Sequence, residues 1–153
     1  MNRIEDPSWE AYPNTILEFG SIPKIAIDLR QPITVDTRQA LKEIGFETTF
    51  TVLTACNPLG TIADQEENRS RTGQLEMELK ALGVVMVPAD GVSPDGKHRE
   101  GGYAVAIPVT RAETLAKKFG QSAFFCFDGD QFWIMPALVQ VEPMSLPGPL
   151  SKA

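Results

Sequence analysis

Short apolar runs of period two alternate along this chain with glycine or proline breaks and with helices announced by polar capping pairs. Thr15-Ile16-Leu17-Glu18-Phe19 and Lys24-Ile25-Ala26-Ile27-Asp28-Leu29 read as strands separated by Gly20 and Pro23. Asp36 with Gln39 three residues later reads as a helix start, and Gly45 after Ile44 as its stop. Residues 48–54 are β-branched almost throughout and predict a strand that ends in the turn Asn57-Pro58-Leu59-Gly60. Asp64 with Glu67 opens a long helix to Leu82, whose apolar stripe is Leu75, Leu79 and Leu82. Gly83 closes it, and 84–87 is the next strand. Residues 88–102 carry two Asp-Gly pairs and little that packs, so they read as a long exposed loop. A strand over 103–109 follows, then a helix capped by Thr110 with Glu113 and ending at Phe119-Gly120. Residues 123–127 and 131–135 flank Asp128-Gly129-Asp130 as a hairpin.

The ends lack a period. Residues 1–14 hold two prolines and read as an irregular lead-in pinned by Trp9 and Tyr12; residues 142–153 hold three prolines and a glycine and read as a flexible tail. That leaves one α+β domain over 15–141. The order strand, helix, strand, strand, helix, strand over 48–127 is the split βαβ pattern, so the expected fold is a ferredoxin-like two-layer sandwich. The earlier strands, the first helix and the last hairpin strand are additions to it. A differently wired α+β sandwich is the alternative.

In the ferredoxin-like wiring the end of the first core strand lies beside the starts of the third and fourth and beside the start of the long helix. Thr54, Asn57, Asn68, Arg71, His98, Glu100 and Gln121 then fall at one end of one sheet. A helix N-terminus with an arginine one turn in suits an anion, and the Arg71 fork suits carboxylate or phosphate. His98 and Glu100, two apart on an extended segment, face the same side and suit acid–base work. The Thr54 hydroxyl and the Asn57 and Gln121 amides orient a polar ligand. Each residue also has a plainer reading. Asn57 caps a turn, Asn68 faces solvent, Arg71 pairs with Glu67, His98 is an idle surface histidine, Gln121 closes a helix, and Cys56 is a small buried apolar residue.

Composition narrows the chemistry. The 153 residues are 42% hydrophobic and 22% charged, which is globular. The net charge of −6 argues against nucleic acid or an anionic membrane held by bulk charge. Two cysteines and one histidine fall short of a four-ligand zinc site, and no cofactor motif is present, so neither metal nor cofactor is expected. The polar start of the chain carries no signal-peptide pattern, and a cytoplasmic protein with reduced thiols is expected.

The blocks 50–58 (Phe-Thr-Val-Leu-Thr-Ala-Cys-Asn-Pro) with Gly60, then Glu67-Asn68, then Asp95-Gly96-Lys97-His98-Arg99-Glu100, then Phe119-Gly120-Gln121-Ser122-Ala123 occur in a specific order. Together they resemble the uncharacterised bacterial family catalogued as domain of unknown function 3293, over roughly residues 12–138. The resemblance carries over to Thr54, Asn57, Pro58, Asn68, Glu100, Gly120 and Gln121, while His98 and Gly101-Gly102 depart from the family pattern. It implies a shared site and no particular chemistry. The functional expectation is binding or hydrolysis of a small polar or anionic ligand, such as a nucleotide or phosphorylated metabolite. His98 and Glu100 would be the catalytic pair, and Thr54, Asn57, Asn68, Arg71 and Gln121 would hold the ligand, with 88–102 as a lid. The alternative is a non-enzymatic module that docks a protein partner.

Overall fold

The computed structural model describes residues 6–148. After a 3-10 turn, Trp9–Asn14, come strands β1 (Ile16–Phe19) and β2 (Ile25–Asp28), helix α1 (Val35–Glu43), β3 (Phe50–Thr54), a short 3-10 turn Pro58–Gly60 and helix α2 (Gln65–Lys80). Then follow β4 (Met86–Val92), β5 (Arg99–Glu100), β6 (Gly102–Val105), helix α3 (Val109–Lys118), β7 (Ala123–Phe127), β8 (Phe132–Pro136) and β9 (Met144–Leu146).

The helix starts show which capping signals acted. Asp64 caps α2, its Oδ1 accepting from the Glu67 amide at 2.7 Å. At α1 the cap is Thr34, two residues before the expected Asp36. Thr34 has extended backbone, which lets its hydroxyl accept from the Thr37 amide at 3.1 Å. At α3 the expected Thr110 lies inside the first turn. Pro108, fixed at φ −62°, ends the extended segment instead, without a side-chain cap.

The strands form one antiparallel sheet in the order β2-β1-β4-β6-β3-β7-β8-β9, with β5 also paired to β4. This corrects the ferredoxin-like two-layer sandwich. The sheet runs two strands past β4 on one side and two past β7 on the other, and it curls into a half-barrel. The reason lies in the side chains of the central strands. β3 and β7 are buried on both faces. On one face Leu53, Val105 and Phe124 pack under α2 and α3 against Leu75, Leu79, Ala112 and Ala116. The opposite face carries Phe19, Phe50, Phe125, Phe127 and Phe132, with Phe46 stacked on Phe50 at 4.3 Å between ring centroids. A two-layer sandwich leaves that second face in water. Burying an aromatic side chain is worth roughly 2–3 kcal/mol, so curling the sheet over five of them is strongly favoured.

Two further expectations change. The long loop 88–102 is mostly a β-hairpin: Gly91 and Val92 pair with Glu100 and Arg99, and the Ser93 amide donates to the His98 carbonyl at 2.9 Å to close the turn. Ala89 and Val92 are buried, and Gly102 lets β6 approach β3 closely. Glycine and aspartate here sit on paired backbone, so composition alone misread the segment, and no lid of that length exists. The tail expected from residue 142 contributes a strand, β9, with Leu146 buried under β8. Residues 1–5 of the lead-in and 149–153 of the tail lie outside the described residues.

Candidate functional site

β3 ends at Thr54, and the chain leaves the sheet through Ala55 and Cys56 into a strained turn. Asn57 (φ 48°, ψ 64°) and Leu59 (φ 54°, ψ 27°) are both left-handed without being glycine. Such a conformation costs on the order of 1–2 kcal/mol per residue and persists only where its surroundings impose it. Asn68, one turn into α2, supplies much of that restraint. Its Oδ1 accepts from the Asn57 amide at 3.0 Å, and its Nδ2 donates to Asn57 Oδ1 at 2.9 Å. Asn57 Oδ1 also accepts from the Ala63 amide at 2.9 Å, and the Leu59 amide donates to the Gly120 carbonyl at 2.7 Å. Asn57 is left with its Nδ2, which donates to Glu100 Oε2 at 2.6 Å. Asn57, Asn68 and Glu100 therefore form one hydrogen-bonded group built from a loop, a helix and a strand.

The other expected residues do different work. Arg71 donates through Nε to the Ala55 carbonyl at 2.6 Å and through Nη2 to the Phe119 carbonyl. Gln121 is buried, and its Nε2 donates to the Cys56 carbonyl at 2.9 Å and the Phe119 carbonyl at 3.2 Å. Both side chains thus stitch the exit of β3 to the turn between α3 and β7, where Gly120 passes close under Pro58. The Arg71 fork is committed to backbone oxygens, which replaces the expected anion clamp. Thr54 Oγ1 accepts from the Cys56 amide at 3.1 Å and donates to the Gly101 carbonyl at 2.9 Å. Cys56 is buried, with its Sγ 3.6 Å from Thr72 Oγ1 and from the Gly101 carbonyl.

His98 is not brought to this group. It lies exposed in the β4–β5 turn before β5 begins, while Glu100 is partly buried on β5. Its amide donates to Ser93 Oγ at 3.0 Å, and its charge acts on Asp95 across the turn.

Two residues not counted with the site in the sequence, Asp6 and Tyr12, interact with Glu100 through charge. Asp6 is 7% exposed. Its Oδ1 accepts from the Ser8 amide at 2.7 Å and the Ser8 hydroxyl at 2.6 Å, and its Oδ2 accepts from Ser122 Oγ. Gly60 lies directly beneath: a Cβ there would stand 1.8 Å from Asp6 Oδ1. Tyr12 joins them, its hydroxyl pushed well above the usual range by burial and by the charges of Asp6 and Glu100. The readable signal was Asp6-Pro7-Ser8, an aspartate that caps its own turn.

Burial likewise pushes the Glu100 carboxyl above the ordinary range; the Asn57 hydrogen bond opposes this, and the Asp6 charge adds to it. A cleft of about 270 Å³ lined by Trp9, Glu10, Pro13, Asn14, Ile134 and Met144 lies on the other flank of the first turn and touches none of these site residues. Among the described residues, no three His, Cys, Asp or Glu side chains are grouped to hold a metal ion, and no helix is long and apolar enough to cross a membrane. The group at Glu100 thus offers a carboxyl that accepts or donates a proton, next to amides already oriented by each other.

Residues 53–124 match the family model described as Protein of unknown function (DUF3293). That segment runs from the last two residues of β3 to the start of β7 and contains Asn57, Asn68, Arg71, Glu100 and Gln121. No curated protein and no solved structure matches the chain.

Proposed function

We propose that this chain, which belongs to the DUF3293 family, binds a small polar ligand where Asn57, Asn68 and Glu100 meet. The observation that carries this reading is the 2.6 Å hydrogen bond from Asn57 Nδ2 to Glu100 Oε2 on a left-handed asparagine. Strain of this kind is held in place at a cost, and it turns a side-chain amide toward a partly buried carboxyl rather than toward water. The local charge favours a neutral or cationic hydrogen-bond donor over the anion expected from sequence. Asp6 and Glu100 flank the group, Asp64, Glu66 and Glu67 lie at the start of α2, and Arg71 is spent on backbone carbonyls. Glu100 would accept the ligand's donor and hold or pass its proton.

A thermal-shift screen of neutral, cationic and phosphorylated metabolites tests this. A ligand at a hundredfold over its Kd adds about 2.7 kcal/mol of stability. Asn57→Ala and Glu100→Gln should abolish the response; a response preserved in both, or confined to phosphorylated compounds, refutes the reading.

A second reading is a protein-docking module. It is favoured by Leu59 at 45% and Ile62 at 82% exposed on the same loop, which present apolar surface beside the polar group. Ile62→Asp should then remove partner binding while leaving any small-molecule response untouched.

A further inference from the structure

We propose that residues 6–14 form a strap closed over the Asn57–Glu100 site, latched by Asp6 on Ser122, and that a ligand enters when the strap swings off. This inference rests on the site reading above and concerns access to that same site.

The strap meets the site through two residues. Asp6 sits on the bare Cα of Gly60, inside the loop that Asn57 begins, and Tyr12 lies within electrostatic reach of Glu100. Asn57 hydrogen-bonds the Glu100 carboxyl, and Asp6 and Tyr12 interact with it through charge. The latch is compact. Asp6 receives Ser122 Oγ from the start of β7 and both donors of Ser8 from the strap itself. Hydrogen bonds to a charged acceptor are about twice as strong as neutral ones, and this carboxylate is almost fully buried.

The rest of the strap is held by Trp9 and Tyr12 and by no strand ladder. No residue of the Trp9–Asn14 turn is fully buried, and Pro13 removes one backbone donor. Two rings lean on the core, with Trp9 5.3 Å from Tyr12 and Tyr12 5.7 Å from Phe125 between centroids. Along its flank is the cleft of about 270 Å³, lined by Trp9, Glu10, Pro13 and Asn14 together with Ile134 and Met144. The strap thus packs on the sheet through Trp9 and Tyr12 and borders a cleft along the rest of its length. Every neighbouring strand is held by a hydrogen-bonded ladder, whereas the strap hangs from a latch at residue 6 and a junction at Thr15, where β1 is about to begin. A segment held by two polar anchors, Asp6 on Ser122 and the Tyr12 hydroxyl on the Ala123 backbone, and by no strand ladder opens at lower free energy than the sheet beneath it.

The test needs no ligand, so its failure is separable from failure of the binding reading. Two variants break the latch by unrelated means. Ser122→Ala removes the donor without altering any residue of the strap, so a change at Glu100 reports the strap, with its Asp6 charge, moving away. Gly60→Ala places a Cβ where Asp6 Oδ1 sits. Amide exchange is followed by NMR alongside the Glu100 carboxyl titration by side-chain carbon shifts, in the full chain. Both variants should raise exchange across 9–14 by about tenfold or more, as loss of one hydrogen bond to a charged acceptor implies. Amides of β3 and β7 should keep their protection, and the Glu100 titration should fall toward the ordinary carboxylate range. Unchanged strap exchange in Ser122→Ala overturns the proposal. So does a freed strap with the Glu100 titration unmoved, or exchange that rises equally in the strap and the sheet.

Discussion

Replacing Asn68 with alanine removes the acceptor for the Asn57 amide and the donor to Asn57 Oδ1, at 3.0 and 2.9 Å, in one step. Each such bond contributes roughly 1 kcal/mol net, and a partly buried amide left without its acceptor adds roughly 1–2 kcal/mol. The left-handed backbone of Asn57 then loses the side chain that imposes it. The expected cost is about 2–4 kcal/mol, a large part of the 5–15 kcal/mol that holds a typical domain together. For a chain of this length each kcal/mol moves Tm by roughly 2–4 °C, so Asn68→Ala should melt roughly 4–16 °C lower. Urea unfolding followed by tryptophan fluorescence measures the same difference, with an unchanged m-value showing that the compactness of the two states is the same. Two variants at residue 57 separate strain from bonding. Asn57→Ala and Asn57→Gly lose the same side-chain bonds, but glycine adopts φ 48° freely, so the alanine variant should be less stable by about 1 kcal/mol. Equal stabilities would mean that the turn carries no strain, and an Asn68→Ala cost below about 0.5 kcal/mol would mean that Asn68 does not hold it; either result refutes the reasoning.

Thr51 is 1% exposed and its hydroxyl has no hydrogen-bond partner, so Thr51→Val should raise the urea midpoint, by about 1 kcal/mol of stability; a fall would reveal a bonded hydroxyl. Gly102→Ala puts a Cβ 2.4 Å from the Leu53 carbonyl oxygen, which is fixed backbone between β3 and β6, and should cost roughly 3 kcal/mol or more in the same assay. Glu100 holds its proton more tightly folded than unfolded, because burial raises its carboxyl. Its contribution to stability is fully present below the ordinary carboxylate value and is lost as pH rises through the raised folded value, so the wild type should lose stability over that window relative to Glu100→Gln. The difference between the two curves is the quantity to measure, since Asp28, held low by its hydrogen bond from Arg30, gives the opposite slope at more acidic pH.

The strands were legible wherever β-branched and aromatic residues dominate, as in Thr51-Val52-Leu53-Thr54, because such side chains fit a pleated half-buried surface whatever lies around them. Asp64 was legible as a cap because its partner amide is only three residues away. The layer arrangement was not, although its cause was in view. Phe124, Phe125 and Phe127 stand on one strand, and adjacent residues of a strand point to opposite faces. Apolar residues on both faces exclude a sheet with one wet side. The hairpin of β4 with β5 was hidden for the converse reason. Pro88-Ala89-Asp90-Gly91 has low strand propensity, and it is held as a strand by β1 on one side, a pairing between segments far apart in the chain, and by β5 and β6 on the other.

The same distinction between local and distant causes runs through the site. Asn57, Asn68 and Glu100 meet because β3 lies beside β6, which continues β5, and because α2 starts where β3 ends, so strand adjacency alone is enough to assemble them. The curl of the sheet does not enter that argument. It enters for Asp6, Tyr12 and Ser122. Tyr12 leans on Phe125, a residue of the face that a flat two-layer arrangement would leave in water, and only once that face is a core does the first turn have a surface to lie on. The lead-in reaches Glu100 because the aromatic face is covered. The acidic character of the site follows from the same event, since it is the lead-in that brings the charge of a second carboxylate to bear on a glutamate already short of solvent, while Arg71 is occupied by backbone carbonyls. The expectation of a polar or anionic ligand counted Arg71 as free to bind it and left Asp6 out. With those two assignments reversed, the ligand proposed here is neutral or cationic.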